Sequence, residues 1–190
     1  MHEIEPFYSW RDDYVASEDE NSPFFGNEYS EMHFHNKIYN YYIHPQWDNF
    51  GSSTLYCKIL FADYEAGFAV IELIGEWNDA VHNDIMEMKR GLVEPLIEAG
   101  ISKFMLIGEN VLNFHASDDL YYEEWYDEIK ENDGWIVAVN FRQHVIDEMR
   151  SVRIHYYIHM GDAYNNLEWR KLKPRNVLEW MEGLIIKGLK

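Results

Sequence analysis

Two pairs of histidines have the spacing to bring imidazole groups together. The members of the first pair lie two residues apart, and those of the second lie four apart in a segment that we predict to be a strand. Because alternate residues of a strand face the same side, each pair could give a metal such as zinc two nitrogen ligands, with Asp162 or Glu31 as a third. The alternative is that these histidines are exposed or hydrogen-bonded without a metal. The pairs are His33 with His35, and His155 with His159.

No other pattern indicates a reaction. Cys57 is the single cysteine, which excludes an intrachain disulfide and a multi-cysteine zinc site. It alternates with Leu55 and Ile59, as a small core residue does. The sequence contains neither a Gly-x-Ser-x-Gly nucleophile elbow nor a phosphate-binding glycine loop. We therefore predict no catalytic residues and no cofactor.

Acidic residues are concentrated on one predicted helix, between residues 118 and 131. Such a run is either a solvated helix face or a docking surface for a basic partner, whose association it would accelerate. The acids are Asp118, Asp119, Glu123, Glu124, Asp127, Glu128 and Glu131.

Composition narrows the classes of protein to consider. A chain of 190 residues with 47% hydrophobic and 16% aromatic content can bury the core of a single domain. Its 34 acidic residues against 16 Lys and Arg give a net charge of −18, which repels nucleic acid and anionic membranes. No apolar run approaches the roughly 18 residues that cross a bilayer, and no basic signal-peptide region begins the sequence. These features predict a cytoplasmic protein.

The first 67 residues read as an arm followed by strands. Residues 1–36 are aromatic and acidic without a period, which predicts an irregular arm. Residues 37–67 add strands: one at 38–43, and one at 55–61 that pairs antiparallel with 69–74 across a loop at 63–67. A cluster of aromatic residues here is either core, the lining of a pocket, or a contact with a second copy. The cluster is Tyr39, Tyr41, Tyr42, Trp47 and Phe50.

Beyond residue 77 the pattern alternates between helix and strand. Asn78 or Asp79 caps a helix whose apolar positions begin at Val81 and whose last turn bends at Pro95. A buried strand at 103–108, a helix at 117–132, a strand at 135–139 and a helix at 143–152 follow. A strand at 154–158 and a helix opened by Pro174 complete the series. The order predicts one α/β domain over residues 1–190, a mixed β-sheet with packed helices.

Three stretches resemble a known family. They read VIELIGEWND at 70–79, GISKFMLIGENV at 100–111, and GWIVAVN at 134–140 followed by VIDEM at 145–149. In this order, residues 68–180 resemble the STAS domain, the fold of bacterial anti-sigma factor antagonists. The resemblance implies a STAS-like α/β core over residues 68–190, preceded by the aromatic arm and a β-hairpin.

The resemblance also implies a site. In STAS domains a protein partner is recognised around the loop after the central strand, and an Asp-Ser-Ser/Thr-Gly motif there carries a phosphorylated hydroxyl that disrupts docking. The matching positions here are His115-Ala116-Ser117-Asp118, so the acceptor position is an alanine and an acid replaces the glycine. A shift of one residue makes Ser117 the phosphate acceptor. The alternative for Ser117 is the N-cap of the following helix.

These features favour a non-catalytic protein-interaction domain in a bacterial regulatory circuit. The alternative is a protein, possibly an enzyme, that binds a small molecule or metal through its histidines and aromatic residues. A homodimer joined through an exposed hairpin edge is a third reading. The predicted partner-binding residues are Asn113, His115, Ser117, Asp118, Asp119, Glu123 and Asp127.

Overall fold

A four-stranded mixed sheet forms the centre of the protein. The computed structural model describes residues 3–30 and 32–188. The sheet has the order β3-β4-β5-β6, with strands Leu55–Asp63, Phe68–Asn78, Lys103–His115 and Trp135–Val139. β3 pairs antiparallel with β4, as predicted, whereas β4, β5 and β6 run parallel. This arrangement confirms the predicted α/β class.

Helices cover one face of this sheet. They are α1 (Asp79–His82), α2 (Asp84–Met88), α3 (Glu94–Glu98), α4 (Leu120–Ile129) and α5 (Gln143–Ser151). Buried helix residues such as Met88, Trp125 and Ile146 share one core with the inward-facing residues of the strands. All five residues of β6 are apolar and buried, as expected for a strand that is covered on both faces of the sheet.

The other face is covered by α6 (Pro174–Gly188) and the N-terminal arm. Trp10 packs against Trp169 with the ring centroids 5.4 Å apart, and its Nε1 donates to the Leu172 carbonyl at 3.0 Å. Asp19 fixes the middle of the arm, since it accepts the hydroxyls of Tyr14 and Tyr64 at 2.7 and 2.5 Å. The arm is irregular, as predicted, yet many contacts hold it.

The helix predicted after residue 78 is broken into pieces. Asn78 caps α1 as expected, because its side chain accepts from the Val81 amide. Asn83, with φ 52°, then interrupts the helix, and a π-helical turn at Lys89–Val93 separates α2 from α3. The interruption leaves Val81 exposed, so its predicted place in the core was wrong. Gly91 allows the turn to approach the Phe50 carbonyl, where a Cβ would collide.

Two predicted strands have a different structure. The strand at 38–43 is a small hairpin, with β1 (Lys37–Ile38) pairing antiparallel with β2 (Tyr41–Tyr42), because Tyr39 adopts φ 54° and turns the chain. Residues 154–156 form a 3₁₀-helix, and only a single bridge from His159 to Val137 touches the sheet. Within the described residues, no helix is both long and apolar enough to span a bilayer.

Candidate functional site

Glu76 joins the hairpin to the carboxyl ends of β4 and β5. The Tyr39 hydroxyl donates to Glu76 Oε2 at 2.6 Å, and Asn113 Nδ2 donates to Oε1 at 3.2 Å. His115 Nε2 lies 3.9 Å from Oε2. The predicted binding residues Asn113 and His115 therefore lie beside the hairpin, around one carboxylate.

The hairpin itself is well anchored but presents its tyrosines to solvent. Ile38 is buried in a small core of its own, and the Tyr56 hydroxyl donates to the Lys37 carbonyl at 3.0 Å. Tyr39, Tyr41 and Tyr42 are 56%, 65% and 45% exposed. The predicted aromatic cluster thus divides, since Trp47 and Phe50 are core and the tyrosines are surface.

The loop after β5 carries the predicted phosphate acceptor. Ser117 is exposed and lies three residues before α4, which begins at Leu120 rather than at Ser117. Asp119 occupies the N-cap position, and Asp118 accepts from the Leu120 amide at 3.2 Å. The alternative role of Ser117 as the N-cap was therefore wrong, because Asp118 and Asp119 lie at the N-terminus of the helix instead.

Three of the four acids on α4 pair with lysines of the protein. Lys89 is 1% exposed, and its Nζ contacts one carboxylate oxygen of each of three acids. Burial alone would lower the pKa of Lys89, but the carboxylates reverse this effect and raise it above its ordinary value. Lys130 pairs with Asp127 at 2.6 Å on the surface. The three acids around Lys89 are Glu94 at 2.9 Å, Glu124 at 3.1 Å and Glu128 at 2.8 Å.

Two buried carboxylates, Asp79 and Asp84, fix the first residues of α1 and α2. Asp84 accepts from Ser52 Oγ at 2.7 Å and from the Asn78 amide at 2.7 Å. Asp79 accepts from the Tyr122 hydroxyl at 2.5 Å and thereby connects α1 to α4. Burial raises the pKa of Asp79 to about 6, although its hydrogen bonds act in the opposite direction. These acids hold structure and are not accessible to a partner.

A second network lies on the other face of the sheet. Glu72 is 1% exposed; it accepts from the Phe7 amide at 2.8 Å and lies 3.5 Å from Arg170. Burial raises the pKa of Glu72 to about 7 against these two favourable contacts. Arg170 also pairs with Glu109 at 2.6 Å, and Asn140 donates to Glu109 at 2.8 Å. Sequence reasoning missed this network; its one signal was an acid inside an apolar strand.

The two histidine pairs that the spacing singled out lie in different local structures. The rings of His33 and His35 have centroids 6.2 Å apart, whereas His155 lies on the 3₁₀-helix and not on a strand with His159. Among the described residues, one group of three possible ligand residues has its ligand atoms within 4.8 Å of one another. The group contains no histidine, and the Lys89 ammonium already occupies the space between its carboxylates. Glu31 lies outside the described residues. Cys57 is fully buried, and burial raises the pKa of its thiol.

Comparison with known proteins gives a match among solved structures. No family model matches the chain, and no curated protein matches it significantly. Among solved structures, the anti-sigma factor antagonist SpoIIAA in its unphosphorylated form is similar over 67% of this chain and 96% of its own, with a TM-score of 0.47 and 11% identity. The chain's own fold is a mixed α/β sheet with packed helices.

Proposed function

We propose that this protein is a non-catalytic interaction domain that docks a basic protein partner in a regulatory circuit. The observation that supports it is the exposure of Tyr39, Tyr41 and Tyr42 on a hairpin that Glu76 ties to the end of β5. Tyrosine offers a large, rigid contact area at a small cost in side-chain entropy, and it is enriched in protein interfaces.

The charge around the hairpin indicates the chemistry of the partner. Asp118 and Glu123 are exposed, and no cation among residues 3–30 and 32–188 pairs with either. Together with a net charge of −18, they favour a partner that carries Lys or Arg at its rim. We define the docking surface as Tyr39, Tyr41, Tyr42, residues 113–119 and Glu123.

Replacement of Tyr41 by serine is expected to weaken the complex at least about tenfold, which corresponds to about 1.4 kcal/mol, because an exposed aromatic anchor would be lost. The partner is first recovered from lysate of the source organism with the full chain as bait and identified by mass spectrometry. The affinity of the purified partner is then measured by titration calorimetry.

Tyr156→Ser is the matched control, since Tyr156 is 68% exposed and lies outside the docking surface. Its affinity should stay within a factor of about two of the wild type, as for a residue outside an interface. Equal losses in the two variants, or recovery of no specific protein by the wild-type bait, would contradict the proposal.

A negative charge at Ser117 is expected to reduce the recovery of the partner. A phosphate there adds about −1.5 to −2 charges next to Asp118. Its repulsion by Asp118 and the cost of removing its water outweigh its attraction to basic groups at the rim of the partner, since rim charges change mainly the rate of association. Ser117→Glu should therefore recover less partner than Ser117→Ala, and Ser9→Glu in the exposed part of the arm should recover as much as the wild type. Intact-mass analysis of the protein isolated from its own cells tests for the phosphate. Equal recovery by both Ser117 variants would remove the switch from the proposal.

A further inference from the structure

A cavity of about 230 Å³ lies between the N-terminal arm and β3, away from the docking surface. Trp10, Arg11 and Tyr14 line it from the arm, and Lys58 lines it from β3. Tyr29 and Gln46 also line the cavity. The cavity therefore combines aromatic rings with two cationic side chains.

Lys58 is a cation that the fold holds in place. Its side chain is 11% exposed, and its Nζ lies 2.9 Å from Asp48 Oδ2 and 3.8 Å from the ring centroid of Tyr29. Asp48 also accepts from Asn27 and from the Tyr29 hydroxyl, both at Oδ1. An ammonium group has three donors, and Asp48 takes one of them while the ring faces another. A donor is thus left for a further acceptor.

Arg11 is a second cation and has no carboxylate partner within the described residues. The hydrogen bond of its guanidinium is a long one, 3.4 Å from Nη2 to Gln46 Oε1. Burial lowers the pKa of Lys58, and the charge of Arg11 adds to this effect, so the two cations lie close enough to repel each other. The cavity thus places an exposed guanidinium and a largely buried ammonium in one wall of a chain with 34 acids and 16 bases.

The wall opposite the cations is apolar. Trp10 and Phe7 pack edge to face with centroids 5.4 Å apart, and Tyr14 lies against Phe61 at 6.2 Å. The one carboxylate in the described wall, Glu18, is exposed. The volume is below the roughly 300–1,000 Å³ of sites for drug-sized ligands, so a ligand must be small.

We propose that this cavity binds a small aromatic monocarboxylate, with the carboxylate held by Arg11 and Lys58 and the ring against Trp10 and Tyr14. The guanidinium matches a carboxylate in plane and offers two parallel donors. The proposal is independent of the docking surface and its partner.

Titration calorimetry with phenylacetate and the full chain tests this site. We expect saturable binding of one phenylacetate per chain with a Kd below about 1 mM in about 0.15 M salt. Phenylacetamide has the same shape without the charge, and it should bind at least about tenfold more weakly. Quenching of tryptophan fluorescence should follow the same curve, because Trp10 lines the cavity.

Arg11→Gln is the variant that separates the site from unspecific attraction. Arg11 is exposed, so the protein should fold normally while its affinity for phenylacetate falls at least about tenfold. Arg175→Gln removes an equally exposed arginine from α6 and should leave the affinity unchanged. Absence of saturation, equal affinity for the amide, or unchanged affinity in Arg11→Gln would each overturn the proposal.

Discussion

Replacement of Lys89 by methionine is expected to lower the free energy of unfolding by about 3 kcal/mol, at the lower end of the cost of breaking a buried ion pair. The methionine fills the same space, but Glu94, Glu124 and Glu128 lose the cation between them. Their side chains are 42%, 54% and 36% exposed, so water can recover part of the loss. Urea denaturation at neutral pH measures the change.

A divalent cation should restore much of the stability that Lys89→Met loses. The three carboxylates each place an oxygen within 4.8 Å of the others, and Ca²⁺ takes oxygen ligands of this kind. Millimolar CaCl₂ should raise the melting temperature of the variant but not that of the wild type, with NaCl of equal ionic strength as the reference. Lys130→Met breaks a surface pair and should cost far less than Lys89→Met, because the exposed pair is screened by solvent. Equal losses in the two lysine variants would contradict the assignment.

The free energy of unfolding is expected to fall as the pH rises from 4.5 to 7, and Glu72 is the main cause. Its pKa is about 7 in the folded protein against 4.5 as its ordinary value, so the folded state binds the additional proton over this interval. The contribution of Glu72 to stability is therefore complete below pH 4.5 and is lost by pH 7, a change of about 3 kcal/mol. Asp79 acts in the same direction, from its ordinary 3.8 to about 6.

Glu72→Gln should flatten this pH profile. The amide oxygen still accepts from Phe7, whereas the cost of a buried charge disappears, so the variant should exceed the wild type by about 2–3 kcal/mol at pH 8 and equal it near pH 5. Glu109→Gln is the opposite control. Burial alone would raise the pKa of Glu109, but hydrogen bonds from Asn140, Trp169 and Arg170 lower it, so its neutralisation should destabilise the protein at pH 8. Parallel profiles of wild type and Glu72→Gln would contradict the argument.

The parts of the fold that the sequence predicted are those with a strong hydrophobic pattern, either a period or a continuous apolar run. The β3-β4 pair, the strand 135–139 and the helix that Pro174 opens all agree with the structure. Each has a buried face that only one secondary structure can supply, so local preference and packing agree.

The errors lie where a single backbone angle decides the structure. Tyr39 and Asn83 adopt positive φ, which turns a predicted strand into a hairpin and divides a predicted helix. Residues 154–158 are rich in β-formers, yet the sheet edge meets only His159, and the chain coils into a 3₁₀-helix. The hydrophobic period of the sequence does not indicate where a positive φ or a 3₁₀-helix will occur.

The candidate site could be predicted only in part. The docking loop was proposed from a resemblance, and the tyrosines belonged to an aromatic cluster whose role as core, pocket lining or contact with a second copy was open. Their meeting at Glu76 depends on the parallel register of β4 and β5. The pairing of Lys89 with α4 joins residues about 40 positions apart and changes which acids of the helix are free. Arg11 and Lys58 gave no signal at all, because they come together through the path of the arm.

The seam between Trp10 and Leu172 also constrains how the chain is made. These residues are 162 positions apart, and together with α6 they close one face of the sheet. On the ribosome the opposite face can be completed once Ile158 has emerged, whereas Val70 and Met105 on this face stay bare until the last helix follows. A nascent chain with a finished sheet and one uncovered apolar side exposes the kind of surface that makes folding intermediates prone to aggregate.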